Sequence, residues 1–111
     1  MSDALIIDAT RTPWGKFGGA LKEHRAADLG ALLIRRLLER NQLDPAAIGN
    51  VVLGQVLQAG AGQLPSRQAL IGGGLPATTP STLINKVCGS GIGAGTLAAG
   101  PIPPGEDRLV I

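Results

Sequence analysis

Cys88 has the setting best suited to covalent chemistry, because it lies between a short apolar run and a group of small residues. It follows Thr82–Val87, which has the pattern of a strand, and precedes Gly89-Ser90-Gly91. If a helix begins at Cys88, its unpaired N–H groups and positive dipole end would stabilise a thiolate and a developing oxyanion. The small neighbours leave a carbonyl substrate access to the sulfur. A cysteine packed as a small apolar side chain is the alternative that position alone leaves open.

The other titratable residues are less suited to chemistry. His24 is the only histidine, and its neighbours Glu23 and Arg25 predict an exposed surface position. Lys16 and Lys86 are isolated and are interpreted as surface charges rather than as phosphate ligands. One cysteine, one histidine and scattered carboxylates do not form the ligand cluster that a metal site needs. We therefore expect no metal site.

A second motif competes with the nucleophile hypothesis. Gly89–Ala94 matches G-x-G-x-x-A after a strand, which is typical of a dinucleotide-binding turn. That fingerprint also needs an acidic residue at the end of the following strand, whereas Glu106 and Asp107 come before Leu109-Val110-Ile111. A dinucleotide-binding module therefore remains a weaker alternative. Protection of the chain by NAD but not by CoA would favour it.

Length and composition predict one globular domain or one piece of a domain. The chain has 111 residues, of which 44% are hydrophobic, with 17 Gly and 8 Pro. Its net charge is +2, its arginines are dispersed, and Trp14 and Phe17 are its only aromatic residues. This pattern predicts neither a nucleic-acid surface nor a stacking platform for bases.

The same composition gives expectations about cellular location. The apolar runs are shorter than the roughly 18 residues that a membrane span needs. The sequence begins without a basic n-region, so a secretory signal is not expected. The single cysteine cannot form an internal disulfide, and a cytoplasmic location is the simplest prediction.

The elements that must position Cys88 alternate between strand and helix patterns. That alternation predicts an α/β fold with a mostly parallel sheet. In the most regular helix, leucines at 29, 32, 33 and 37 form the apolar face. The predicted elements are strands at Ala4–Ile7, Asn50–Leu57, Thr82–Val87 and the run from Leu109, and helices at Ala26–Arg40 and Pro65–Ile71.

The segment after Cys88 has a helical composition that is weakened by Gly93 and Gly95. Beyond it, residues 100–105 contain three prolines, each of which costs a helix about 3 kcal/mol. We expect the helix to end by about Gly100, followed by an extended connection into Leu109.

Three segments of the chain resemble signatures of the thiolases, the acetyl-CoA acetyltransferases, and they occur in the same order as in that family. The likeness extends from about Ala4 to Ala99 and more faintly to Ile111. Three ordered signatures are far more specific than one. They are Arg11-Thr12-Pro13-Trp14-Gly15-Lys16-Phe17-Gly18-Gly19, Gly60-Ala61-Gly62-Gln63-Leu64-Pro65-Ser66-Arg67-Gln68 and Asn85-Lys86-Val87-Cys88-Gly89-Ser90-Gly91.

The resemblance implies a thiolase-like layered α/β fold, with residues 1–111 as an incomplete amino-terminal domain and residues 100–105 as an irregular segment. It implies that Cys88 is the catalytic nucleophile of acyl transfer between acyl-CoA thioesters. The reaction would be thiolysis of a 3-ketoacyl-CoA or condensation of acetyl-CoA. Coenzyme A thioesters would be substrates, with no metal or redox cofactor. The full-length family forms homo-oligomers through this half.

The family also uses a histidine that activates the nucleophile and a second cysteine that exchanges a substrate proton. Nothing in this sequence matches those motifs or most of the CoA-binding segments, and His24 replaces neither base. We therefore expect an amino-terminal portion that is inactive by itself. A non-catalytic remnant that acts in subunit association is the main alternative.

Overall fold

The computed structural model describes residues 3–100 and 109–111, and within them helices alternate with strands of a parallel sheet. The sheet order is β2-β1-β3. The predicted α/β class with a parallel sheet is therefore confirmed. The elements are α1 (Ala26–Asn41), β1 (Ile48–Gly54), α2 (Pro65–Gly72), β2 (Ser81–Ile84), α3 (Ser90–Ala98) and β3 (Leu109–Val110).

Helix α1 confirms the most regular sequence pattern and extends one residue beyond the predicted end. Asp28 lies in its first turn and Arg40 in its last, the arrangement that the helix dipole favours. Gln42 ends the helix in the left-handed conformation, with φ at 51°. Pro45 then begins a separate 3₁₀ turn, so the helix cannot continue into β1.

The buried face of α1 differs from the predicted leucine face. The helix approaches α2 through small residues: a Cβ at Gly30 would lie 3.1 Å from Cβ of Ala69, and one at Gly72 would lie 3.0 Å from Cβ of Ala31. This close contact decides which side of α1 is covered, and it leaves Leu32 exposed. The buried residues of α1 are Ala27, Ala31, Ile34 and Leu38.

The core lies where α1, α2 and β1 meet. Along β1, Leu53 extends toward Gly30 of α1, whereas Gly54 lies against Ser90 of α3. Successive residues of a strand point to opposite faces, so α1 and α3 cover opposite sides of β1. The buried core cluster consists of Ile34, Leu38, Ile48, Val51, Ala69, Leu70 and Leu75.

The pairing of β1 determines which chain segments meet at one edge of the sheet. Its register with β2 runs from Val51 opposite Ser81 to Gly54 opposite Ile84. Both strands run in the same direction, so their carboxyl ends meet at the same edge of the sheet. The other side of β1 pairs with the two residues of β3.

The prediction of a first strand at Ala4–Ile7 is wrong. The segment has no strand structure, and Leu5 and Ile6 are 81% and 94% exposed. A strand needs a backbone partner as well as an apolar pattern. Here the two sides of β1 are paired with β2 and β3, and the terminal segment is attached to the fold through Asp8 instead.

The helix after Cys88 ends at Ala98, which confirms the predicted end before Gly100. Gly93 is buried against the side chains of Ile84 and Lys86, so this helix-weakening residue lets α3 lie close to β2. The predicted connection through 101–105 lies outside the described residues. None of the described helices has both the length and the apolarity needed to cross a bilayer.

Asp8 holds the amino-terminal segment against the last turn of α1. Its carboxylate accepts hydrogen bonds from Arg40, with Nε at 2.9 Å, and from Asn41. Arg40 also donates to the carbonyl oxygen of Ala9 at 2.9 Å. The hydrogen bonds from Arg40 and Asn41 lower the pKa of Asp8 from 3.8 to about 2. The carboxylate is therefore the form that attaches this segment.

Protonation of Asp8 should release this segment. Because its pKa is lower in the folded chain, the contact stabilises the fold above about pH 3.8 and is lost as the pH falls toward 2. An NMR titration of the Asp8 carboxyl should give a pKa near 2 that rises toward 3.8 in Arg40→Met. Arg36→Met, which removes an arginine paired with Glu39, is the control and should not change it. Identical values in the Arg40→Met and parent chains would contradict the assignment.

Candidate active site

Cys88 lies on the turn between β2 and α3, and its side chain is exposed. The turn residues 85–89 follow the carboxyl end of β2. Helix α3 begins at Ser90 with Gly89 as its N-cap, so Cys88 precedes the helix and does not begin it. The helix therefore starts two residues later than expected. The exposed side chain disagrees with the alternative of a cysteine packed as a small apolar group.

The backbone amides around Cys88 are partly used within the turn. Gly89 N donates to the Lys86 carbonyl and Ser90 N donates to the Val87 carbonyl, both at 3.1 Å. Regular helical bonding follows, with Gly93 N donating to the carbonyl of Gly89 at 2.8 Å. Two of the N–H groups that were expected to stabilise the thiolate of Cys88 therefore donate to carbonyl oxygens within the turn.

Val87, directly before the cysteine, is in the left-handed backbone region with φ at 51°. A β-branched residue rarely adopts this conformation, which costs about 1–3 kcal/mol and persists only where its surroundings impose it. Here Asn85 Oδ1 accepts a hydrogen bond from Val87 N at 2.9 Å. The strained residue thus has a side-chain partner that favours its conformation.

Ser90 closes the same turn from the helix side. Its hydroxyl donates to the Val87 carbonyl at 2.6 Å and accepts from Lys86 N at 2.9 Å. The residue is 4% exposed, so these partners replace water around the hydroxyl. Both contacts fix the turn that carries Cys88.

The carboxyl end of β1 lies beside this turn. A Cβ at Gly54 would come within 2.5 Å of the carbonyl carbon and oxygen of Ser90. Glycine therefore lets the first turn of α3 approach the strand. Beyond the strand, Asn85 Nδ2 donates to the carbonyl of Val56 at 3.2 Å and connects the two segments.

The glycine-rich signature follows β1 and is held by α2. Gln68 Nε2 donates to the carbonyl oxygens of Ala61 at 2.9 Å and Gln63 at 3.1 Å, while Arg25 donates to Gln68 Oε1. The carboxyl ends of parallel strands are the usual place for a ligand site. A cavity of about 250 Å³ lies here, lined in part by Arg25 and Gly60.

Arg67 orders the connection that leads into β2. Its guanidinium donates to the carbonyl oxygen of Thr79 at 2.8 Å and to that of Ala77 at 2.5 Å. Arg67 belongs to the signature after β1, so this signature supports the strand that ends beside Cys88. Arg67 does this by donating to backbone carbonyl oxygens, and the residue types of the motif do not indicate those contacts.

The structure places two of the three signatures that carry the resemblance after neighbouring strands at the same edge of the sheet. The second and third signatures follow β1 and β2, and Asn85 of the third donates a hydrogen bond to the Val56 carbonyl, in the segment between β1 and the second signature. In the first, Trp14 and Phe17 are exposed, and within the described part of the chain no side-chain hydrogen bond joins it to the other two. His24 is exposed, as predicted, and the described hydrogen bonds do not link it to Cys88.

The hypothesis that Gly89–Ala94 forms a dinucleotide-binding turn disagrees with the sheet topology. The fingerprint belongs to a βαβ unit whose two strands are neighbours in the sheet. Here β1 lies between β2 and β3, the strands that precede and follow Gly89–Ala94. The motif resemblance therefore comes from small residues around a cysteine turn.

Sequence reasoning missed Asn85 and Ser90 as supports of the turn. One signal was present, because asparagine commonly hydrogen-bonds to the backbone N–H two residues later. The bond from Asn85 to Val56 had no local signal, since it joins residues 29 positions apart. Only the pairing of β1 with β2 brings them together.

Fold and site together define an α/β protein with an exposed thiol at the carboxyl edge of a parallel sheet. Residues 4–111 match the family described as Thiolase, N-terminal domain. The chain belongs to the thiolase family.

Individual relatives carry acyltransferase names. The chain is 50% identical over 111 residues to the acetyl-CoA acetyltransferase of Cupriavidus necator and to the probable acetyl-CoA acetyltransferase of Escherichia coli. The probable acetyl-CoA acyltransferase of Staphylococcus epidermidis is also 50% identical. Each alignment covers 100% of this chain and 28% of the relative, so the chain spans just over a quarter of their length.

Gly54→Ala should destabilise the chain by about 1–3 kcal/mol, because the new methyl group meets backbone that cannot rotate away. Urea unfolding measures the loss. Gly91→Ala is the matched control, since a Cβ at that position has no atom of another segment within 4 Å. Equal stability of the two variants would show that β1 and α3 do not approach as described.

Proposed function

We propose that Cys88 is the nucleophile of acyl transfer between coenzyme A thioesters. The observation that carries the proposal is the position of its exposed thiol, on a hydrogen-bonded turn at the carboxyl edge of the sheet. Family membership supports the reaction class. The acetyltransferase names of the relatives suggest acetyl-CoA as a substrate.

The first step of the reaction forms an acyl-cysteine. The thiolate of Cys88 attacks the thioester carbonyl carbon, a new carbon–sulfur bond forms, and the bond to the CoA sulfur breaks. The released CoA thiolate takes up the proton that Cys88 gave up. In thiolysis, attack on the 3-keto carbon breaks the bond between carbons 2 and 3 instead, and acetyl-CoA leaves once its carbon 2 is protonated.

The second step transfers the acyl group from Cys88. In thiolysis, the sulfur of CoA attacks the acyl-cysteine carbonyl and Cys88 leaves as a thiolate. In condensation, acetyl-CoA loses a proton from carbon 2, this carbon attacks the same carbonyl, and the bond to sulfur breaks so that Cys88 again leaves as a thiolate. Both routes need a proton acceptor, and His24 is the only histidine of these 111 residues. We propose that this chain supplies the nucleophile and that other segments supply the bases.

The exposed thiol also agrees with a cytoplasmic location. Reducing conditions there keep thiols free, which a nucleophilic cysteine requires. We retain the cytoplasm as part of the proposal.

Subunit association is the second candidate function. Val87 and Ile92 flank Cys88 with 64% and 80% of their surface exposed. Large exposed apolar side chains can mark a surface that another polypeptide covers. A homo-oligomer, or a complex with another thiolase subunit, would bury them. A purely associating chain would not accept acyl groups at Cys88 faster than an unfolded chain does.

Cys88 in the folded chain should take one acetyl group from acetyl-CoA. Intact-mass measurement follows the acetylation, and Cys88→Ala should abolish it. The acetylation rate of the parent chain unfolded in urea gives the intrinsic reactivity of an exposed thiol, against which the rate of the folded chain is compared. We expect faster acetylation in the folded chain because the turn orients the sulfur. Equal rates in the folded and unfolded chains would contradict the proposal.

Sustained turnover by these 111 residues should be absent. A general base contributes about 10²–10⁴-fold to the rate, and His24 is exposed without a described bond to Cys88. Free CoA release from acetoacetyl-CoA and CoA, followed with a thiol reagent, should not exceed that in buffer. His24→Ala should leave the result unchanged. Turnover that Cys88→Ala removes would show that the chain contains its own base.

A further inference from the structure

The turn before Cys88 is strained where orientation of the sulfur matters most. Val87 is the residue immediately before the nucleophile, and its positive φ of 51° is unusual for a β-branched side chain. It is also 64% exposed, so packing does not impose this conformation. Hydrogen bonds must therefore maintain it.

Asn85 supplies two of these hydrogen bonds with one side chain. Its Oδ1 accepts from Val87 N at 2.9 Å, and its Nδ2 donates to the Val56 carbonyl at 3.2 Å. The first bond holds the strained residue, and the second fixes the amide group to the segment after β1. Both ends of the amide are used, so its orientation is determined.

The bonds at Val87 extend to the cysteine itself. The Val87 carbonyl and the Cys88 N–H belong to one planar peptide group. That carbonyl accepts from the Ser90 hydroxyl at 2.6 Å and from Ser90 N at 3.1 Å. Asn85 on one side and Ser90 on the other therefore fix the peptide group that leads into Cys88, and with it the direction of the side chain.

We propose that Asn85 is a positioning residue for acyl transfer at Cys88. It holds Val87 in the left-handed conformation and connects the cysteine turn to the end of β1. The sulfur therefore keeps its direction while the carbonyl carbon approaches and becomes tetrahedral. This inference rests on the proposed nucleophilic role of Cys88 and adds a residue that does not touch the substrate.

The test compares two reactions of Cys88 in Asn85→Ala. Acetyl transfer from acetyl-CoA needs a defined direction of attack, whereas alkylation by iodoacetamide is less demanding. We expect acetylation of the folded chain to slow by about tenfold or more, because small misplacements of a reacting group have effects of this size. Alkylation across the neutral and alkaline pH range should change much less.

Two further variants separate positioning from a loss of stability. Adding Val87→Gly to Asn85→Ala should restore much of the acetylation rate, because glycine adopts a positive φ without strain. Asn41→Ala is the matched control, since Asn41 is also exposed and its side chain bonds to Leu37 and Asp8, far along the chain from the turn. It should leave acetylation unchanged even if urea unfolding detects a loss of stability.

The outcomes distinguish the two proposals. If the parent is acetylated and Asn85→Ala reacts equally fast, the role of Asn85 is wrong while the nucleophile stands. If both reactions of Asn85→Ala slow equally, or if Val87→Gly rescues nothing, Asn85 has only a structural role and the inference is overturned. If the folded parent is alkylated but not acetylated faster than the unfolded chain, the nucleophile hypothesis fails and the role of Asn85 fails with it.

Discussion

The close approach of α3 to the end of β1 is the constraint on which the candidate site depends. At Gly54 the strand backbone lies so near to Ser90 that no side chain fits between them. This contact determines where α3 begins and therefore where the turn before it lies. Because β1 and β2 run parallel and end at one edge, the turn lies beside the segment after β1. The position of Cys88 follows from these backbone contacts.

Polar contacts then fix the turn in a conformation that its sequence does not favour. Val87 has an unfavourable φ, and the bonds from Asn85 and Ser90 offset its cost. Strain of this kind is retained at sites where orientation matters. The exposed thiol next to it is therefore held by its backbone rather than by side-chain packing. This arrangement suits a nucleophile, because the sulfur stays accessible while its direction is fixed.

Small residues have two different roles in this fold. Gly30 and Gly72 let α1 and α2 pack closely, and Gly54 and Gly93 let α3 approach the sheet. A residue that weakens a helix by its intrinsic preference can thus strengthen the packing around it. Helix α3 illustrates this, since it continues to Ala98 although it contains several glycines. Local preference predicted where it ends, and packing explains why it forms.

The sequence by itself determined the α/β alternation, the bounds of α1 and α2 to within a residue or two, and Cys88 as the candidate nucleophile. These features depend on periodicity, helix-ending residues and local motifs, which act over a few positions. The tertiary structure decided that Ala4–Ile7 is not a strand, that the small residues of α1 are buried, and that Asn85 reaches Val56. Each of these depends on which distant segments become neighbours. An apolar pattern specifies a tendency to pair or to pack, but the available backbone partner and the closest helix contact are properties of the assembled chain.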